Sequence, residues 1–351
     1  MSRPLLVRAL CGESTERRPL WIMRQAGRYL PEYRALRRQH SFLELSNSAE
    51  LSAEVTLQPL RRFDLDAAII FADIMSPMEA LGVEVDFAPG PVIEKPIATA
   101  ADVEVLADPD PEAIAPQVID ALRRVRAELP TEVGVIGFCG APLTLAAYLV
   151  QGHGKSDFPK LRALATSDPS TFTSLLEKLA RLVAKFLERQ VAAGGAQAVQ
   201  IFDSWAGLLS LADWRRLVKP VLRDLLQELG TLDVPRVLFL HNAAQILDDV
   251  TRSASSTTSE EHLPYEALAV DWRQDLAAIR AALPADRAVQ GNLDPAVLLA
   301  GPEAVREAAK NLLERVPRRG HVVNLGHGIM PQAPIDSVHA LVDVVRSESQ
   351  P

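Results

Sequence analysis

Eight short apolar or β-branched runs recur along the chain, at residues 20–23, 67–71, 133–138, 198–202, 236–240, 267–270, 287–290 and 321–325. Longer stretches follow them in which apolar residues return every three or four positions. Between 172 and 193, Leu175, Leu176, Leu179, Leu182 and Val183 form one such stripe, which predicts an amphipathic helix. The eight runs are continuously apolar rather than alternating, as parallel strands covered on both faces require. Eight strand–helix units in about 300 residues predict an α/β fold, a single-domain (β/α)8 TIM barrel. It would occupy residues 19–351, after an N-terminal extension at 1–18. A doubly wound open sheet accounts for the same alternation, but no Gly-rich phosphate-binding turn follows the first run. The polar, low-complexity stretch near 252–263 reads as a solvated helix-to-strand loop, on the face opposite a barrel's active site.

Composition narrows the function. Hydrophobic residues make up 48% of the 351 and charged residues 23%, the balance of a globular protein with a large core. The net charge of −8 provides no global basic field for nucleic acid, so an anionic ligand needs a local cluster of cations. Cys11 and Cys139 are the two cysteines, too few for a disulfide framework or a thiolate metal site. No apolar run approaches the ~18–20 residues of a membrane span. Arg8 interrupts Leu5-Leu6-Val7 before a signal-peptide core can form. A cytoplasmic location with no membrane partner is the expectation.

Barrel enzymes build their sites from residues just past each strand. Here those positions hold Arg24 and Arg28, Asp73, Gly140 then Tyr148, Asp203 and Ser204, His241 and Asn242, Asp271, Gly291 and Asn292, and Gly326-His327-Gly328. Arg24 and Arg28 share a face if their turn is helical, and guanidinium forks grip carboxylates in two-point contacts. Arg34, Arg37 and Arg38 extend the positive character, some of them as ordinary surface charges. Asp73 reads either as a cap for the next helix or as a lone carboxylate at the mouth of an apolar cavity. Tyr148 suits a half-buried core tyrosine as well as a ligand contact, and Ser204 suits a cap. His327 lies between glycines that permit close approach of a ligand.

Taken together these segments resemble one family. Residues 19–34, PLWIMRQAGRYLPEYR, resemble the N-terminal signature of uroporphyrinogen decarboxylases, and residues 137–148, GFCGAPLTLAAY, their second signature. FADI at 71–74, FDSWAG at 202–207, QGNLDP at 290–295 and NLGHGI at 324–329 follow in the family's order. The resemblance runs from about Pro19 to Val345. It implies a (β/α)8 barrel, usually a homodimer, acting in porphyrin and heme biosynthesis. Such an enzyme removes carbon dioxide from the four acetate side chains of uroporphyrinogen III, leaving the methyl groups of coproporphyrinogen III. The resemblance implies neither cofactor nor metal. It places Asp73 against the central pyrrole N–H groups. Arg24 and Arg28 fall on substrate carboxylates, with Arg24 also assisting proton delivery, and Tyr148, Ser204 and His327 fall on substrate-contact positions.

Two other functions stay in view. Zinc- and cobalamin-dependent methyltransferases share the fold but need a His and Cys ligand set, and no cysteine stands near His241 in sequence. A non-catalytic tetrapyrrole carrier would keep the arginines but has no need of Asp73. Two departures from the family pattern are visible: Ala72 stands where relatives often carry serine, and the Ser/Thr-rich stretch after Thr251 looks inserted.

Overall fold

The apolar runs become the staves of one parallel sheet. In the computed structural model, which describes residues 3–87, 90–154, 157–256, 258 and 261–348, the strands in chain order are β1 (Ala67–Ile69), β2 (Val85–Phe87), β3 (Pro91–Ile93), β4 (Gly134–Gly140), β5 (Ala198–Asp203), β6 (Arg236–Leu240), β7 (Ala267–Val270), β8 (Ala288–Gln290) and β9 (His321–Val322). Seven of them form a curled parallel sheet in the order β1-β4-β5-β6-β7-β8-β9, while β2 and β3 make a separate antiparallel hairpin. Sheet order follows chain order without reversal, whereas a doubly wound sheet reverses at a switch point. The doubly wound alternative is thereby removed.

The first predicted strand, residues 20–23, is not assigned as one; it survives as a single parallel bridge between Leu20 and Val323. The reason lies in where its N–H groups go. Leu20 N–H donates to Asp66 Oδ2 (2.7 Å), Ile22 N–H to Gln25 Oε1 (3.0 Å) and Met23 N–H to Asn324 Oδ1 (2.8 Å). Only Trp21 N–H reaches a backbone carbonyl, that of Val323, at 3.4 Å. The segment still joins both edges of the sheet. Val323 N–H donates to Pro19 O on one side, and on the other Asp66 N–H donates to Leu20 O and Gln25 Nε2 to Ala67 O.

Its side chains alternate as a stave's should. Leu20 and Ile22 pack outward among Val55, Val305, Val338 and Leu341 of the helical layer. Trp21 and Met23 join the interior cluster. Inside the sheet, Trp21 Nε1 donates to Gln290 Oε1 (2.9 Å), whose amide donates to Gln200 Oε1 (3.0 Å).

The helix Pro169–Ala192 shows why the helical layer forms where the sequence predicts it. Asp168 caps its start by accepting the Thr171 N–H, Pro169 occupies the first turn, and Leu175, Leu176, Leu179, Leu182 and Val183 are all buried. The helix Leu5–Leu10 buries Leu6, Ala9 and Leu10 against β4, β8 and β9. The polar loop expected near 252–263 does lie between the helix Ala244–Ser253 and β7, yet Leu263 is fully buried; Thr257, Ser259 and Glu260 lie outside the described residues. Among the described residues no helix is long and apolar enough to cross a membrane.

Asp66, buried at the start of β1, also accepts Arg17 (2.8 and 2.6 Å) and Arg346 (3.2 Å), so one carboxylate ties together residues 17–20, β1 and the C-terminal helix. Asp66→Ala strands two arginines and one N–H, a class of loss worth about 3–5 kcal/mol. We expect a clearly lower thermal midpoint by circular dichroism; an unchanged midpoint would mean that water replaces the carboxylate.

Candidate active site

The C-terminal ends of the parallel strands carry the polar residues expected there. Phe138, Phe202 and Phe239 stand edge to face at 5.6 and 5.5 Å and form an aromatic floor. Around it stand Arg24 after residues 20–23, Asp73 after β1, Tyr148 on the helix that follows β4, Ser204 after β5, His241 after β6 and His327 after β9.

Arg24 does not sit on a helix. Its φ of 62° is left-handed, and Gln25 N–H closes the turn onto Ile22 O. The helical face that Arg24 and Arg28 would share therefore does not form, and the helix starts only at Pro31. The Arg24 side chain runs over Gly328, where a Cβ would fall 2.3 Å from Arg24 Cδ and displace the arginine from this path. Its guanidinium makes no hydrogen bond or ion pair among the described residues, and its charge reaches Asp73, Tyr148 and His327. Arg28 is exposed and lies apart from these groups, its charge reaching Tyr33. Arg34 and Arg37 are occupied with backbone carbonyls, Arg34 with those of Arg28 and Tyr29, Arg37 with that of His40.

Asp73 does not cap the next helix, whose first flanking residue is Met75, but it shapes the turn that leads into it. Oδ1 accepts the Met75 N–H (2.8 Å), shaping the turn into the short helix Ser76–Leu81. Oδ2 accepts no hydrogen bond among the described residues. Burial pushes the carboxyl above its ordinary range, opposed by the Met75 N–H and the Arg24 charge. Tyr148 packs edge-on to Phe158 (5.7 Å) and Trp205 (6.4 Å), and burial raises its hydroxyl too.

Asp203 and Ser204 divide between two environments. The Asp203 carboxyl lies among Leu176, Val218 and Leu222, where it accepts the Thr144 hydroxyl (2.7 Å); burial pushes it up to about 6. Half-buried Ser204 turns its carbonyl to His241 Nδ1 (3.2 Å), and since a carbonyl only accepts, Nδ1 carries a proton. The His241 ring in turn lies 4.9 Å from that of His327. This pairing was not expected: the position of His241 marks a strand end, but nothing in the sequence shows that its ring meets His327.

The family model for uroporphyrinogen decarboxylase (URO-D) matches residues 1–348. This chain belongs to the uroporphyrinogen decarboxylase family. It is 42% identical over 343 residues to a uroporphyrinogen decarboxylase of Trichlorobacter lovleyi, covering 97% of this chain and 98% of that one. A uroporphyrinogen decarboxylase of Syntrophotalea carbinolica is 43% identical over 345 residues, covering 98% and 97%. Among solved structures, a methyltransferase from Methanosarcina mazei superposes with a TM-score of 0.81 at 21% identity, covering 99% of both chains. At that identity the likeness concerns the fold alone.

Within the decarboxylase family's architecture, four of the six expected site residues are linked through Arg24, whose charge reaches Asp73, Tyr148 and His327. Ser204 joins them through His241, and Arg28 stays on the flank. Cys139 is fully buried in β4, with its thiol pushed far above its ordinary value. Among the described residues no three of His, Cys, Asp and Glu gather as a metal-holding set.

His327 is held neutral: burial, with Arg24 and His241 adding, lowers its pKa to about 3. His321, buried beneath the rim with Nε2 on Gly291 O, is likewise lowered to about 3. In the unfolded chain both return to about 6.5. The unfolded state therefore binds more protons below that value, and stability falls as pH falls. We expect imidazole NMR signals of both rings to show no protonation above about pH 5, and the thermal midpoint to drop between about pH 7 and 5. A His327 titration near 6.5 would remove the buried neutral ring from this description.

Proposed function

We propose that this chain is a uroporphyrinogen decarboxylase that converts the four acetate side chains of uroporphyrinogen III to methyl groups, giving coproporphyrinogen III, without a cofactor. The observation that carries the mechanism is the half-engaged carboxylate of Asp73, with one oxygen fixed by the Met75 N–H and the other open. Closure of the fold into a (β/α)8 barrel belongs to the same reading, supported by the bonds of residues 19–25 to both sheet edges. So do a cytoplasmic homodimer and the assignment of residues 19–351 as the catalytic barrel.

Loss of carbon dioxide leaves a bonding electron pair that needs a sink. Protonation of the pyrrole at a ring carbon makes a cationic, imine-like ring, into which the C–C electrons flow. The exocyclic methylene so formed then takes a proton from solvent while the ring carbon gives up the one it gained, leaving the methyl group. Asp73 accepts the pyrrole N–H groups and stabilises that cation. Because Oδ1 is already fixed, little reorganisation accompanies the developing charge. Arg24, whose guanidinium makes no hydrogen bond or ion pair among the described residues, grips a substrate carboxylate. Arg28 takes a second carboxylate at the flank. Tyr148, Ser204 and neutral His327 supply hydrogen bonds around the macrocycle.

The test is anaerobic incubation of metal-stripped protein with uroporphyrinogen, resolving products by carboxyl number. Stepwise loss to the four-carboxyl product is expected; strict dependence on added zinc and cobalamin would overturn the reading. Asp73→Asn keeps the Met75 contact through its carbonyl oxygen but removes the charge. It should fold normally and lose about 100- to 1,000-fold in kcat; full activity would strip Asp73 of this role.

A further inference from the structure

The proposed substrate carries propionates in addition to its four acetates, more carboxylates than Arg24 and Arg28 can hold. Another arginine at the same rim has the geometry of a carboxylate grip. Arg273 lies just past β7, at the end of the sheet that also carries Asp73, Ser204, His241 and His327. Its guanidinium carbon lies 4.1 Å from the centre of the Trp272 ring, so the cation rests on an aromatic face. Stacking occupies the flat face of the group and leaves its N–H edge to partners in the plane, where Asp271 takes one nitrogen.

Asp271 steadies the arrangement. This fully buried carboxylate accepts the backbone N–H of Asn242 (2.6 Å) on Oδ2 and that of Arg273 (2.9 Å) on Oδ1, which also lies 3.4 Å from Arg273 Nη1. No other hydrogen bond or ion pair holds the Arg273 side chain among the described residues, and 46% of it stays exposed. Trp272 connects it to the site: its ring is 6.0 Å from that of His241, and the Arg273 charge reaches both His241 and His327. An arginine serving only solubility needs neither an aromatic platform nor a buried aspartate beneath it.

We propose that Arg273 is a third carboxylate grip of the active site, binding a side-chain carboxylate of the tetrapyrrole at the β7 rim. This assignment rests on the function proposed above. Its pre-set fork forms a two-point contact that a flexible ammonium does not reproduce. The role is binding and orientation, so its loss shows in KM rather than in the bond-breaking step.

The test is steady-state anaerobic turnover of uroporphyrinogen by wild type, Arg273→Gln and Arg273→Lys over a series of salt concentrations. Arg273→Gln should raise KM about tenfold or more while kcat stays within about twofold, and Arg273→Lys should fall between. The wild-type KM should climb with salt, and Arg273→Gln should flatten that climb, which a merely structural residue would not do. A KM within about twofold of wild type in Arg273→Gln, or an unchanged salt dependence, overturns the assignment while leaving the decarboxylase reading intact. A wild type unable to turn over uroporphyrinogen overturns both.

Discussion

Residues 20–23 must lie between the two edges of a curled sheet, yet they donate only one N–H to a neighbouring strand carbonyl. Asp66, Gln25 and Asn324 accept the other three. Buried N–H groups left without acceptors would each cost about 1–3 kcal/mol, so the seam depends on these side chains. They also fix where the segment stops. Asn324 Oδ1 accepts Met23 N–H and Leu325 N–H together, holding at one point the chain that leads into Arg24 and the chain that leads into His327. The site inherits its geometry from the seam.

Three aspartates at the ends of alternate strands, β1, β5 and β7, show how surroundings divide their roles. Asp203 is turned to the helical layer and spent on Thr144. Asp271 is fully buried and spent on two backbone N–H groups. Asp73 has a single Met75 N–H on one oxygen and, among the described residues, no hydrogen bond on the other. Residue type alone does not distinguish them; the number of donors each meets does.

The legibility of the sequence follows the same division. Runs 236–240 and 267–270 match β6 and β7 residue for residue, because continuous burial leaves an unbroken apolar signal. The stave at 20–23 is apolar too, but periodicity does not reveal that its bonds go to side chains. The hairpin of β2 and β3 is short and half exposed, so its pattern is weak. Asp73, Tyr148 and His327 are readable as strand-end groups within family motifs. The pairing of His241 with His327 is not, since β6 and β9 are not neighbours in the sheet and only its curvature brings their ends together.

The passage of Arg24 over Gly328 has a consequence for how the site can change. The arginine takes its path through the space left by a missing side chain about three hundred residues away. Any lineage that gains a methyl at 328 must shorten or redirect the arginine in the same step. An engineer grafting this grip in its present path onto another sheet must carry the glycine with it. The two positions form a single unit of inheritance, although neither touches the other in the sequence.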